Sequence, residues 1–209
     1  MTGRIFVVAC VFVACGPSNA SMEFDIAVTN ALNQKSCLVS DGFTNYMWQC
    51  ANQNTNAELS LSAHVLLGVS QLEMFDATMK SANLGAAFQS VSNALSSSAL
   101  TTNQWQYWHL AILHIACLNT ANNTHDAYLV ASNAWDAIHS IGFVDSTNVV
   151  SRALLKYHGV GTDVTIRSAI ALNKALSAAA VGKQDESNAL KVYLPDRLKQ
   201  EMETFLSDE

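Results

Sequence analysis

Ala87-Phe88-Gln89-Ser90-Val91-Ser92-Asn93-Ala94-Leu95 returns 40 residues later as Ala127-Tyr128-Leu129-Val130-Ala131-Ser132-Asn133-Ala134-Trp135. It returns 41 residues after that as Ser168-Ala169-Ile170-Ala171-Leu172-Asn173-Lys174-Ala175-Leu176. In each block two small residues stand seven apart. Seven residues make two turns of an α-helix, so both small side chains fall on one face, where a neighbouring helix can come close. An apolar segment at helical spacing precedes each block, over 59–75, 105–118 and 149–157. Three helical hairpins in tandem account for this pattern. A period near 40 built from helix pairs reads as a short α-solenoid, in which each hairpin buries its apolar face by stacking on the next. An irregular helical bundle, with Ala recurring by chance in an Ala-rich chain, is the competing account.

Outside these blocks little interrupts a helix: Pro17 and Pro195 are the chain's prolines. Phe24, Ala27, Val28, Ala31 and Leu32 follow the i, i+3, i+4, i+7, i+8 rule and predict a first amphipathic helix. Between Cys37 and Asn56 the pattern lapses into Asp-Gly, Asn and Gln, which predicts an irregular connector or a small hairpin. Polar joints are expected at 79–84, 96–103, 119–124, 142–148 and 158–163. Leu194-Pro195-Asp196 opens a last helix, and its stripe of Leu198, Met202, Phe205 and Leu206 suits a cap over the final face of the array. The expected fold is all-α: a leader at 1–15, an N-terminal helix and loop at 16–58, three hairpin repeats at 59–184, and a capping helix at 185–209.

The small-residue spacing in each second helix resembles the tetratricopeptide repeat superfamily. The last unit, Ala153-Leu154-Leu155-Lys156-Tyr157-His158-Gly159-Val160-Gly161-Thr162-Asp163 followed by Ser168-Ala169, is similar to its Sel-one-like branch. In that branch a Tyr ends the first helix, a Gly-x-Gly turn follows, and an Ala-bearing second helix packs back. The resemblance covers residues 59–180. It implies a helical-repeat fold with a noncatalytic, protein-binding role.

The chain begins with Arg4, an apolar run over 5–14, and then Cys15-Gly16. A basic start followed by ten apolar residues matches an export signal and falls well short of the roughly 20 residues that span a bilayer. Val13-Ala14-Cys15-Gly16 resembles the lipobox of bacterial lipoproteins, which makes Cys15 the candidate lipidation site; Phe12 stands where that family usually has Leu. Gly16, rather than Asp, after the cysteine implies delivery to the outer membrane, facing the periplasm. Ser18-Asn19-Ala20 is the competing cleavage site and would release a soluble secreted protein starting at Ser21. Asn-x-Ser/Thr at Asn19 and Asn122 keeps a eukaryotic secreted origin open.

Half of the 209 residues are hydrophobic and 13% are charged, enough for a sizeable core. The formal net charge is -6, and removing the leader with Arg4 makes it -7. A chain so poor in clustered Lys and Arg is not built to neutralise phosphates or to lie on an anionic membrane. Cys37 and Cys50 bracket the stretch containing Asp41-Gly42, and in an oxidising compartment a disulfide closing that loop is expected. Cys117, inside the apolar run 110–118, reads as a buried free thiol.

Motifs for catalysis are scarce. His109 and His114 stand about 140° apart around a helix, and His125 and His139 are about 21 Å apart along one, so neither pair shares a metal ion. Gly159-Val160-Gly161 lacks the third glycine and the preceding strand of a dinucleotide site. No catalytic residue, metal or cofactor is expected. Trp105, Trp108, Ile112 and Ile115 share one helix face and read as core. Gln104, Tyr107 and His114 lie off that stripe and are the candidate partner-binding residues, since interfaces favour aromatics with a polar rim. The function expected is a noncatalytic scaffold of the bacterial envelope, tethered through Cys15 and holding an envelope protein or exported peptide. The alternative is a soluble secreted helical protein that binds a small ligand or host target.

Overall fold

The structure, a computed structural model, describes residues 20–102, 104–141, 148–157 and 165–207. Cys15, Phe12, the Ser18-Asn19 part of the cleavage site and the Gly159–Gly161 turn lie outside the described residues, as do the side chains of Phe205 and Leu206. Among the described residues the chain is all-α, with no strand. The helices are α1 (Ala20–Asn33), α2 (Lys35–Leu38), α3 (Asp41–Gln53), α4 (Ala57–Thr78), α5 (Ser81–Leu95) and α6 (Trp105–Thr120). They continue as α7 (Thr124–Ile141), α8 (Val149–Tyr157), α9 (Ile166–Ala180), α10 (Gln184–Ala189) and α11 (Asp196–Ser207), with a 3₁₀ turn over Leu190–Tyr193.

Local chemistry sets the ends of these helices. Asn56 starts α4 by accepting hydrogen bonds from Glu58 N at 3.0 Å and Leu59 N at 3.2 Å on its side-chain oxygen, which satisfies two amides left unpaired by the first turn. Thr165 and Ser168 form a reciprocal capping box at the start of α9. At the other end of α9, Gly182 adopts φ +79°, and the Lys183 N–H turns back to Ala178 O at 2.8 Å, closing the helix as a glycine C-cap does.

The stretch read as an irregular connector is helical. Ser40 caps α3, accepting from Phe43 N, and Phe43, Met47 and Ala51 then form a buried stripe at i, i+4 and i+8. Asp41-Gly42, which resembles a turn signal, occupies the first turn of α3 instead. Among the described residues no disulfide is found: Cys37 and Cys50, expected to close a loop, are both thiols. The Ser40 hydroxyl holds Cys37 O at 2.6 Å, so Cys37 stays beside the start of α3. Cys50 is nine residues beyond Asp41, about 14 Å along the axis of α3. A disulfide needs the two Cα atoms within about 7 Å. Helix, not loop, makes up most of the stretch between them.

The seven-residue spacing of small side chains behaves as its geometry predicts. Ala87 and Ala94 on α5, Ala127 and Ala134 on α7, and Ser168 and Ala175 on α9 are all buried. The pairs α4 with α5 and α6 with α7 are hairpins of mutually packed helices, and α6 packs on both α4 and α5. The third pair departs from this arrangement. Helix α8 lies chiefly against α1, while α9 packs on α7 and α6. Nine-residue α8 has two attachments: Val150 and Leu154 join the core of the first hairpin, and Leu155 joins that of α9.

Two main apolar clusters result, with α6 between them. The first gathers α1, α3, α4 and α5 with Trp105, Leu110, Leu113 and Cys117 of α6. The second gathers Trp108 of α6 with Trp135 and Ile138 of α7, Ile166 and Ile170 of α9, and Leu194, Leu198 and Met202 of the tail. The last helix packs on α9. Helix α4 is buried on every side from Leu61 to Ser70, the pattern of a central helix. Ser62 and Ser70 are hydrogen-bonded inward, Ser62 Oγ accepting from Gln106 Nε2 at 3.0 Å and Ser70 donating to Leu38 O, while His64 Nδ1 is buried without a partner.

Candidate partner-binding groove

Where α4 leaves the centre of the molecule, its burial becomes partial. Val69, Leu72 and Glu73 face Ile112, Leu113 and Ala116 of α6, and with Leu155 of α8 and Ala169, Leu172 and Asn173 of α9 they line an apolar groove of 220 Å³. Apart from the Glu73 carboxylate and the Asn173 amide its lining side chains are aliphatic. Asn173 Nδ2 is tied to Ala169 O at 2.9 Å. One turn on from Glu73, burial and the Glu73 charge both raise the pKa of Asp76, so the end of α4 is acidic.

The depth of the groove depends on Gly68. A Cβ built there would stand 2.6 Å from Leu113 Cδ2, so α4 and α6 cross closely only because this position has no side chain. Leu113, a groove-lining residue, occupies the space that a larger residue at 68 would claim.

The three residues singled out from sequence occupy different surroundings, and none lines this groove. Gln104 sits at the start of α6 in an extended conformation, with no side-chain capping bond and with Oε1 buried and unpartnered. Tyr107 is half-buried, its ring edge-to-face with Trp108 at 4.8 Å, and packs against the second cluster. His114 faces the other way and lines a shallow depression with Gly85, Phe88, Gln89 and Leu95 of α5. Burial pulls the His114 ring below its ordinary pKa, against the opposing pull of Asp126. Ile112, assigned by periodicity to the core, is a partly buried lining residue. Periodicity finds the inward side of a helix; whether a neighbour fills that side depends on how distant segments pack. The available signal is Glu73, a charge just beyond the buried stretch Leu61–Ser70 of α4.

Trp105, Trp108 and Ile115 are buried, as the apolar stripe predicts. Cys117 is also buried, and desolvation pushes its thiol up to about 12, which leaves it unreactive at neutral pH. Among the described residues no three of His, Cys, Asp and Glu come together in a way that could hold a metal ion, and no described helix is long and apolar enough to cross a membrane.

No protein-family model matches the chain, and neither a curated protein nor a solved structure matches it.

Proposed function

We propose that this chain is a noncatalytic binding module of the bacterial envelope: a short array of tetratricopeptide-like helical hairpins, held to the periplasmic face of the outer membrane through a lipidated Cys15, that grips apolar side chains of an envelope protein or exported peptide. The apolar groove between α4, α6, α8 and α9 carries the reading. At 220 Å³ it is smaller than the roughly 300–1,000 Å³ of sites that enclose a drug-sized ligand, which favours one or two protruding side chains of a larger partner over a free small molecule. The Glu73 carboxylate at the groove and Asp76 beyond it favour a partner with a basic residue beside its apolar anchor. The buried pairs of small residues on α5, α7 and α9 support the repeat reading.

Site-specific photo-crosslinking tests the groove. A benzophenone side chain at Leu172, in the groove, is expected to give a discrete adduct in native membranes, and one at exposed Leu129 on α7 is not. Equal labelling from both positions, or none from Leu172, discards the groove as the binding surface. Intact mass spectrometry of the native protein tests the tether. A diacylated or triacylated chain starting at Cys15 supports the lipoprotein reading, and a chain starting at Ser21 replaces it with a secreted binder.

A further inference from the structure

Helix α4 ends on a methionine in a conformation that ordinarily calls for glycine. Met79 adopts φ 54° and ψ 24°, and its N–H closes the helix on Phe75 O at 2.6 Å. Glycine is the usual residue at such a left-handed cap, because it has no Cβ to crowd the following carbonyl. Methionine here costs backbone strain and leaves a long apolar side chain 72% exposed.

The charges around this cap lack partners. Asp76 follows Leu72 by four residues and Glu73 by three, so it extends the face of α4 that lines the apolar groove. Among the described residues no ion pair engages Glu73, Asp76 or the exposed Lys80 that follows Met79. Burial and the Glu73 charge both raise the pKa of Asp76, as expected where no cation neutralises the two carboxylates. One patch thus carries an apolar groove and an apolar knob, two carboxylates and an ammonium. A two-fold contact requires that combination, since the same surface must complement itself. The knob stands six residues past Glu73, about 9 Å along the helix axis.

We propose that a second copy of this chain occupies the groove: two α4 ends run antiparallel past one another, Met79 of each copy enters the other's groove, and each Lys80 pairs with the other's Glu73 and Asp76. The inference rests on the groove being a binding surface, and adds that the chain covers its own groove until another partner displaces it. Val192, which also protrudes beside a lysine, fits less well. Lys191 is already paired with Glu203 at 3.3 Å, and neighbouring Tyr193 packs under Arg167, about half a turn around α9 from groove-lining Ala169 and Leu172. Contact through Val192 would run head to tail and leave an open chain.

Sedimentation equilibrium of the purified native chain tests the pairing. A reversible, concentration-dependent dimer is expected, since so small a contact belongs with the weak, exchanging interfaces. Lys80→Glu and Glu73→Lys should each weaken it by at least about tenfold, because either reversal sets like charges opposite one another at both ends of the contact. Mixing the two variants should restore a dimer, since the altered charge of one then meets the altered charge of the other. Met79→Gly should weaken the dimer while the melting temperature of the dilute chain holds or rises, a split that a purely structural role for Met79 would not give. A benzophenone at Leu172 should join two purified chains into an adduct of twice the chain mass. An adduct with another protein in native membranes, but none between purified chains, keeps the groove as a binding surface and overturns the second copy as its occupant. A chain monomeric at every concentration, a dimer indifferent to all three substitutions, or a mixture that stays monomeric overturns the pairing as well.

Discussion

The two regions on either side of α6 treat their polar groups in opposite ways. Around α1, α3 and α4, titratable groups are shifted chiefly by burial: the Asp25 carboxyl and the Cys50 thiol upward, and the His64 ring downward. Around α7, α9 and the tail, charges are paired. Lys174 Nζ lies 3.1 Å from Glu186, Tyr128 OH donates to Glu186 at 2.8 Å, and Lys183 donates to Tyr128 OH at 2.8 Å. For Glu186, burial raises the pKa, but these hydrogen bonds and charges outweigh it and hold the carboxyl low. Arg167 likewise lies over the Tyr193 ring and against His139 Nε2 at 3.2 Å. One region desolvates its ionisable groups, so pH acts on it; the other neutralises them in pairs, so salt acts on it.

Trp108 is the strongest test of whether the two regions stand or fall together. It is wholly buried in the second cluster, on the helix that also feeds the first. Trp108→Ala should cost about 3–5 kcal/mol in urea denaturation, the usual result of an aromatic-sized cavity. Hydrogen exchange should show protection falling in both α4 and α9; a loss confined to α9 would mean that the regions are separable units.

A smaller effect is expected from the ion-pair region alone. Lys174 is nearly buried while Glu186 is one-third exposed, so Lys174→Met should cost about 1–2 kcal/mol, between the values for exposed and buried pairs. The parent chain should lose stability as salt rises, and the variant should lose less. Equal salt dependence of the two would remove the distinction drawn between the regions.

Gly68→Ala should change stability by less than about 1 kcal/mol, because the gain in helix propensity offsets the displacement of Leu113. Its effect should appear in the groove, since the displaced Leu113 side chain swings into it. Crosslinking from Leu172 should fall while the melting temperature holds, and unchanged crosslinking would show that Leu113 yields elsewhere.

The smallest effect expected is a pH slope from the burial region. Burial favours the neutral His64 ring in the folded chain, while the unfolded chain takes up a proton at the usual 6.5. The stability this residue contributes is therefore complete above pH 6.5 and is lost as pH falls below it. Thermal melts across that range should show the slope in the parent chain and a flatter one in His64→Gln.

Sequence alone determined the helical class and its inward faces. Heptad-spaced small residues, the stripe through Phe24, Val28 and Leu32, and the Leu198–Met202 pair are buried because helix periodicity is a local property, fixed at 3.6 residues per turn wherever the helix lies. The α2–α3 segment was not legible, because Asp-Gly can open a helix as readily as form a turn, and the choice fell to burial of Phe43 and Met47. The groove was not legible either. Ile112 looks like core until α8 and α9 are placed around it. Which apolar faces are filled depends on contacts between segments distant in the chain, and only the tertiary structure decides those.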